Sequence, residues 1–172
     1  ITTSAATGTI SDVINLNLQL TGGTRTVNLG ADHDLTINGI ISGDVASRGF
    51  IKEGDGTLTL TQNNSYSGRT ELRGGTTIIT NSGAISGVIE MEVGTPVLVL
   101  GADALNVAEA FFIRNEGGSK TVSLDLSGTN TGTLASTITI NEDSAGAFIL
   151  DVGEDDTLTV SGQITVTAAG NA

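Results

Sequence analysis

The chain has 172 residues and a formal net charge of -12, with 19 acidic side chains against 7 basic ones. That balance repels phosphate backbones and anionic lipid headgroups, so nucleic-acid binding and direct membrane insertion are both disfavoured. Four Phe, one Tyr and no Trp leave few rings for stacking sugars or bases, and the lack of Cys means that packing must supply the stability.

Twenty-four glycines, a single proline and the absence of a long helical periodicity predict many short strands joined by tight turns. Thr7-Gly8-Thr9-Ile10 begins the series, and Ile14, Leu16, Leu18 and Leu20 then alternate with polar residues as one apolar strand face. Gly22-Gly23 turns the chain into a strand at 24–29, Gly30-Ala31-Asp32 closes it, and 35–43 follows. Next come alternating runs at 57–61 and 76–79, separated by a polar turn at 62–68 and a short extended piece at 70–73. Strands are predicted at 88–93 and 97–100, with Gly94-Thr95-Pro96 between them, because a proline has no N–H to give a ladder. Only 103–110 tolerates a helix, of one or two turns. Strands resume at 111–114, 121–126, 137–140, 148–152 and 157–160. No run of eighteen apolar residues and no series of ten-residue amphipathic strands is present, so neither a spanning helix nor a membrane barrel is expected. The chain begins at Ile1 without a signal-peptide pattern, which reads as a processed or excised segment.

The chain also resembles itself at long range. Gly30-Ala31-Asp32-His33-Asp34-Leu35-Thr36-Ile37-Asn38-Gly39 returns as Gly153-Glu154-Asp155-Asp156-Thr157-Leu158-Thr159-Val160-Ser161-Gly162, about 123 positions later. Thr7-Gly8-Thr9-Ile10 returns as Thr131-Gly132-Thr133-Leu134. Residues 7–39 thus resemble 131–162, as expected of a solenoid in which each coil buries its apolar face only against its neighbours. Residues 1–172 read as one all-β solenoid segment with no linker.

The organising stretch is 50–80. Thr57-Leu58-Thr59-Leu60-Thr61 sends two leucines to one face and three threonines to the other; Asn63, Asn64, Ser65 and Gly68 supply a turn, and Gly74-Gly75 a second one. Lys52-x-Gly54-x-Gly56-Thr57-Leu58-x-Leu60, Asn64-x-Tyr66-x-Gly68-x-Thr70 and Gly75-Thr76 together resemble the autotransporter-associated β-strand repeat, also called the passenger-associated transport repeat. Gln62 departs from its usual glycine and Thr77 from its usual leucine. The resemblance implies a right-handed parallel β-helix with short strands and tight Gly/Asn turns, in the exported passenger of a bacterial surface protein.

Candidate sites are sparse. Asp32 and Asp34 flank the single histidine, His33; Glu53 and Asp55 lie between glycines; Glu142-Asp143 and Glu154-Asp155-Asp156 are acidic pairs or runs. Such carboxylates suit calcium or a sugar-cleaving acid–base pair, but their place at turns favours solvated, backbone-bonded side chains. One histidine without a second or a cysteine makes a poor transition-metal site, so His33 is expected as a surface turn residue. Gly54-x-Gly56 precedes a strand, so no helix N-terminus is available to hold a phosphate. Lys52 is expected to pair with acidic neighbours on a turn, alongside scattered Arg25, Arg48, Arg69, Arg73, Arg114 and Lys120. Tyr66 is expected to pack over its turn, and Asn63, Asn64 and Asn130 to stack as a ladder. No catalytic, cofactor-binding or metal residue is nominated, and no cofactor. The expectation is a non-enzymatic stalk or passenger segment at the bacterial cell surface that folds coil by coil during outer-membrane export. Its partners would be its own neighbouring coils and an adhesion ligand on host cell or matrix. The alternatives are a self-assembling fibre or sheath subunit joined end to end, and a polysaccharide-binding or -cleaving β-helix.

Overall fold

The computed structural model describes residues 10–45, 48–81, 83–85, 87–91, 93–101, 111–114, 119–125, 131–135, 137–142, 147–153 and 156–168. The helix-tolerant stretch 103–110, Thr7 and Thr9 lie outside them. Among the described residues every element is a strand, and none is a helix long and apolar enough to cross a membrane.

The chain runs in successive circuits. β1 (Ile10–Ile14), β2 (Leu18–Leu20) and β3 (Arg25–Asn28) form the first, and β4 (His33–Ile37), β5 (Ile41–Gly43) and β6 (Phe50–Glu53) the second. Among the described residues the next circuits carry two strands each: β7 (Thr57–Leu60) and β8 (Thr70–Leu72), β9 (Thr76–Ile79) and β10 (Ile89–Met91), β11 (Val97–Gly101) and β12 (Phe111–Arg114). Three strands return in β13 (Lys120–Asp125), β14 (Thr131–Leu134) and β15 (Ile138–Glu142), then β16 (Phe148–Val152), β17 (Thr157–Val160) and β18 (Ile164–Ala168). The strands stack into a front sheet, β1-β4-β7-β9-β11-β13-β16, and a back sheet, β3-β6-β8-β10-β12-β15-β18. Two-stranded sheets, β2-β5 and β14-β17, cover a third side near either end. All these pairings are parallel, so the molecule is a β-solenoid.

Register explains the core. In the front sheet Leu35, Leu58, Thr77 and Leu98 stand above one another, as do Ile37, Leu60, Ile79 and Leu100, and all eight are buried. In the back sheet Phe50, Thr70 and Ile89 form one inward column, beside Lys52 and Leu72. Removing a leucine side chain from water is worth about 1.5–3 kcal/mol, and each circuit hides its own only under the next. Aliphatic residues suffice because the space between the sheets is narrow. Pro96, just before β11, gives the ladder its carbonyl, which accepts from the Thr121 N–H at 3.2 Å.

Two expectations need correction or detail. The apolar face expected from Ile14 to Leu20 is broken by a corner between β1 and β2, and Leu16 is 75% exposed there. The corner exists because Asn15 and Asn17 bond to the circuit above: Asn38 Nδ2 donates to Asn15 Oδ1 and the Ile40 N–H to Asn17 Oδ1, each at 2.9 Å. The similar stretches Leu35-Thr36-Ile37 and Leu158-Thr159-Val160 occupy different sides, the first in the front sheet and the second on the third side.

Candidate functional site

The densest polar chemistry lies where the back sheet turns toward the front one, and on the back sheet's outer face. Lys52 points inward from β6 and is fully buried. Its ammonium donates to the carbonyls of Gly54 at 2.8 Å, Gly74 at 3.0 Å and Glu53 at 3.2 Å, so three N–H groups meet three acceptors. Burial lowers Lys52 from 10.5 to about 8, with the Asp55 charge opposing, so it still carries its proton at neutral pH. The expected surface pairing is therefore replaced by a buried clamp joining two successive turns. Those turns need glycine: Gly54 has φ 76°, and a methyl there would run into the Leu29 carbonyl oxygen. Lys120 repeats the device further along, buried, with Nζ donating to the Gly94 carbonyl at 2.7 Å.

On the outer face, in-register pairing sets Glu71 of β8 beside Glu90 of β10. Arg69 reaches Glu90 at 2.6 Å and Glu71 at 3.6 Å; Arg73 reaches Glu71 at 2.5 Å and Glu53 at 2.7 Å. Glu71 and Glu90 are both nearly inaccessible. Arg73 is held above its usual range first by its hydrogen bond to Glu71 and then by that to Glu53. The result is one chain of charges, Glu53–Arg73–Glu71–Arg69–Glu90, across three circuits. Adjacent carboxylates are the raw material of acid–base chemistry; here each is paired with a guanidinium, while the buried Glu71 Oε2 makes no hydrogen bond and has Arg69 3.6 Å away.

The remaining expected residues are dispersed. His33 is not at the surface: it begins β4 facing inward and is 3% exposed, with Nδ1 near Gly30 and without a hydrogen bond. Strand alternation forces this, since His33, Leu35 and Ile37 share a face while Asp34 takes the other. Asp32 and Asp55 are exposed at turns, and Asp156 closes a turn through its N–H to the Gly153 carbonyl at 3.2 Å. The Glu142 side chain, Asp143, Glu154, Asp155 and Asn130 lie outside what is described. No group of three metal-ligating side chains occurs among the described residues. Tyr66 is fully buried, its hydroxyl 2.6 Å from that of Thr70. The ladder expected of Asn63, Asn64 and Asn130 does not form between Asn63 and Asn64: Asn63 is exposed, and the side-chain ladder runs instead through Asn15, Asn38 and Thr61, whose hydroxyl donates to Asn38 Oδ1 at 3.0 Å. Asn64 instead joins backbones, accepting from the Ile41 N–H at 2.7 Å and donating to the Ala84 carbonyl.

Residues 50–79 match the family model of the passenger-associated-transport-repeat. The chain carries this repeat. Comparison with curated proteins gave no match, and neither did comparison with solved structures. The repeat links the chain to autotransporter passengers. Within it lie Lys52, Arg69 and Arg73, whose contacts with Gly74, Glu90 and Glu53 cross from one circuit to the next, so the repeat carries its own inter-circuit fastenings. Its two departures fall in different places: Gln62 is exposed, while Thr77 sits buried in the front column between Leu58 and Leu98.

Glu71, Glu90 and Lys120 were missed as functional candidates because local sequence does not say which side chains are buried: Glu71 has Arg69 and Arg73 two residues away, but Glu90 and Lys120 find their partners in another circuit. Partners between circuits are 20, 21, 22 or 26 residues apart, so no fixed period reveals them.

Proposed function

We propose that the chain is a non-enzymatic structural stalk of an autotransporter-type passenger. It folds circuit by circuit outside the outer membrane and displays adhesive or other modules at the bacterial surface. The observation that supports this most is that each strand finds its sheet neighbours in the circuits directly before and after its own. A formed circuit therefore presents a ready edge to the next one, and each addition opposes backsliding through a pore that has no nucleotide fuel. A chain without cysteine passes such a pore without being locked into loops. The non-enzymatic reading is also supported by the engagement of Glu71 and Glu90 with Arg69 and Arg73.

The test is to place the chain upstream of an outer-membrane barrel and compare surface display of the wild type with Leu58→Asp, which puts a charge into the front column. Several-fold weaker display at equal synthesis is expected. Equal display of a variant whose circular dichroism shows it unfolded would refute the folding-driven reading. A reducing-sugar assay, with and without calcium, is expected to show no turnover; release of sugar ends would refute the stalk reading.

A further inference from the structure

The two ends of the described stack differ in what their inward positions carry. Register places Asp12 of β1 at the position of Leu35, and Arg25 of β3 at the position of Phe50. The following circuits fill these columns with buried Leu58, Thr77 and Leu98 in front, and Thr70 and Ile89 behind. Asp12 and Arg25 are both exposed. Beside Arg25 the core opens into a cavity of about 250 Å³, walled by Leu18, Leu20, Val27, Ile41 and Phe50. The Arg25 guanidinium donates to the Thr21 carbonyl at this end. At the opposite end Ile164 and Val166 continue the columns of Ile138 and Ile140, and they stand 47% and 57% exposed.

We infer that Asp12 and Arg25 cap the first described circuit against a second copy of this chain. The last described circuit of such a copy matches the first in strand order, and the mismatch lies in these two columns. It offers β16, β17 and β18 for β1, β2 and β3, side for side and with the same strand direction, continuing the coil-on-coil interface already built inside the chain. In that register Val166 meets Val27, which is favourable, but Ile164 meets Arg25 and Leu150 meets Asp12. Each charge would be buried against an aliphatic side chain with no opposite charge facing it, which costs more than the contact returns. An inward-pointing charge is a known way to keep a strand edge from recruiting another chain.

The test compares the 172-residue chain with its Asp12→Leu/Arg25→Leu variant by size-exclusion chromatography with light scattering over a range of concentrations. The wild type is expected to stay monomeric. The double variant is expected to reach at least twice the monomer mass as concentration rises, and adding Val166→Arg should return it to monomer. Both capped residues are exposed, so folding should survive; circular dichroism checks this, and either single substitution serves if the pair does not fold. A wild type that already stacks through Val166 would overturn the cap, as would a folded variant that remains monomeric. Association insensitive to Val166→Arg would overturn it too, since the two ends would then not be meeting. The cap does not depend on the stalk reading.

Discussion

Individual side chains decide how well successive circuits are joined. Lys52→Met leaves three turn carbonyls without a donor and is expected to cost about 1–3 kcal/mol at neutral pH, read by urea denaturation. Lys52 has a folded value of about 8, below its ordinary 10.5. Burial disfavours the charged amine, so on top of the hydrogen bonds made at neutral pH the folded state gains stability as the pH rises from 8 to 10.5, where the folded side chain gives up its proton before the unfolded one. The stability gap between wild type and Lys52→Met should therefore widen over that range; a gap that narrows would contradict the lowered value of the buried amine. Tyr66→Phe strands the buried Thr70 hydroxyl and should cost about 1–2 kcal/mol. These roles were only half legible beforehand. Lys52 and Tyr66 stand out as repeat positions, but alternation alone cannot say that a lysine's inward place ends among carbonyls.

At the scale of elements, the back sheet's outer face depends on charge pairing between strands. Arg73→Ala leaves Glu71 buried with its 2.5 Å partner gone and should destabilise by about 3 kcal/mol. Arg73→Met combined with Glu71→Leu should recover most of that loss, because two apolar groups of similar size remove both charges together. A urea double-mutant cycle measures the coupling, and simple additivity would mean that Arg73 and Glu71 do not stabilise one another; the same cycle on Arg73 and Glu53, which lie on successive circuits, reads the coupling between strands. Arg69→Ala should cost less, since its side chain is 57% exposed. The strands themselves were readable from Thr-Leu-Thr-Leu alternation. Where a strand ends was not, as Leu16 shows: the corner there is set by asparagine bonds to the next circuit, which local pattern does not contain.

For the whole molecule, stability should vary along the stack, because each circuit gains only from its neighbours. Amide hydrogen exchange is expected to be slowest at 57–60 and 76–79, strands covered on both sides, and fastest in β1 and β18. Uniform protection would argue for a single all-or-none unit instead of a stack. A chain cut after Glu142 should keep its β-type circular dichroism per residue, since the circuits before it lose only one neighbour.

The sequence by itself determined that this protein is a stack of short parallel strands with a leucine-rich interior and a passenger-type repeat at 50–79. Alternation, glycine placement and the repeat residues are local signals, and a solenoid is built from local signals. Only the tertiary structure decided which residues meet across circuits: Lys52 with Gly74, Glu71 with Glu90, Asp12 in the column of Leu35. Circuits of unequal length make that register unreadable from spacing, and it emerges only when backbone pairing aligns one circuit on the next.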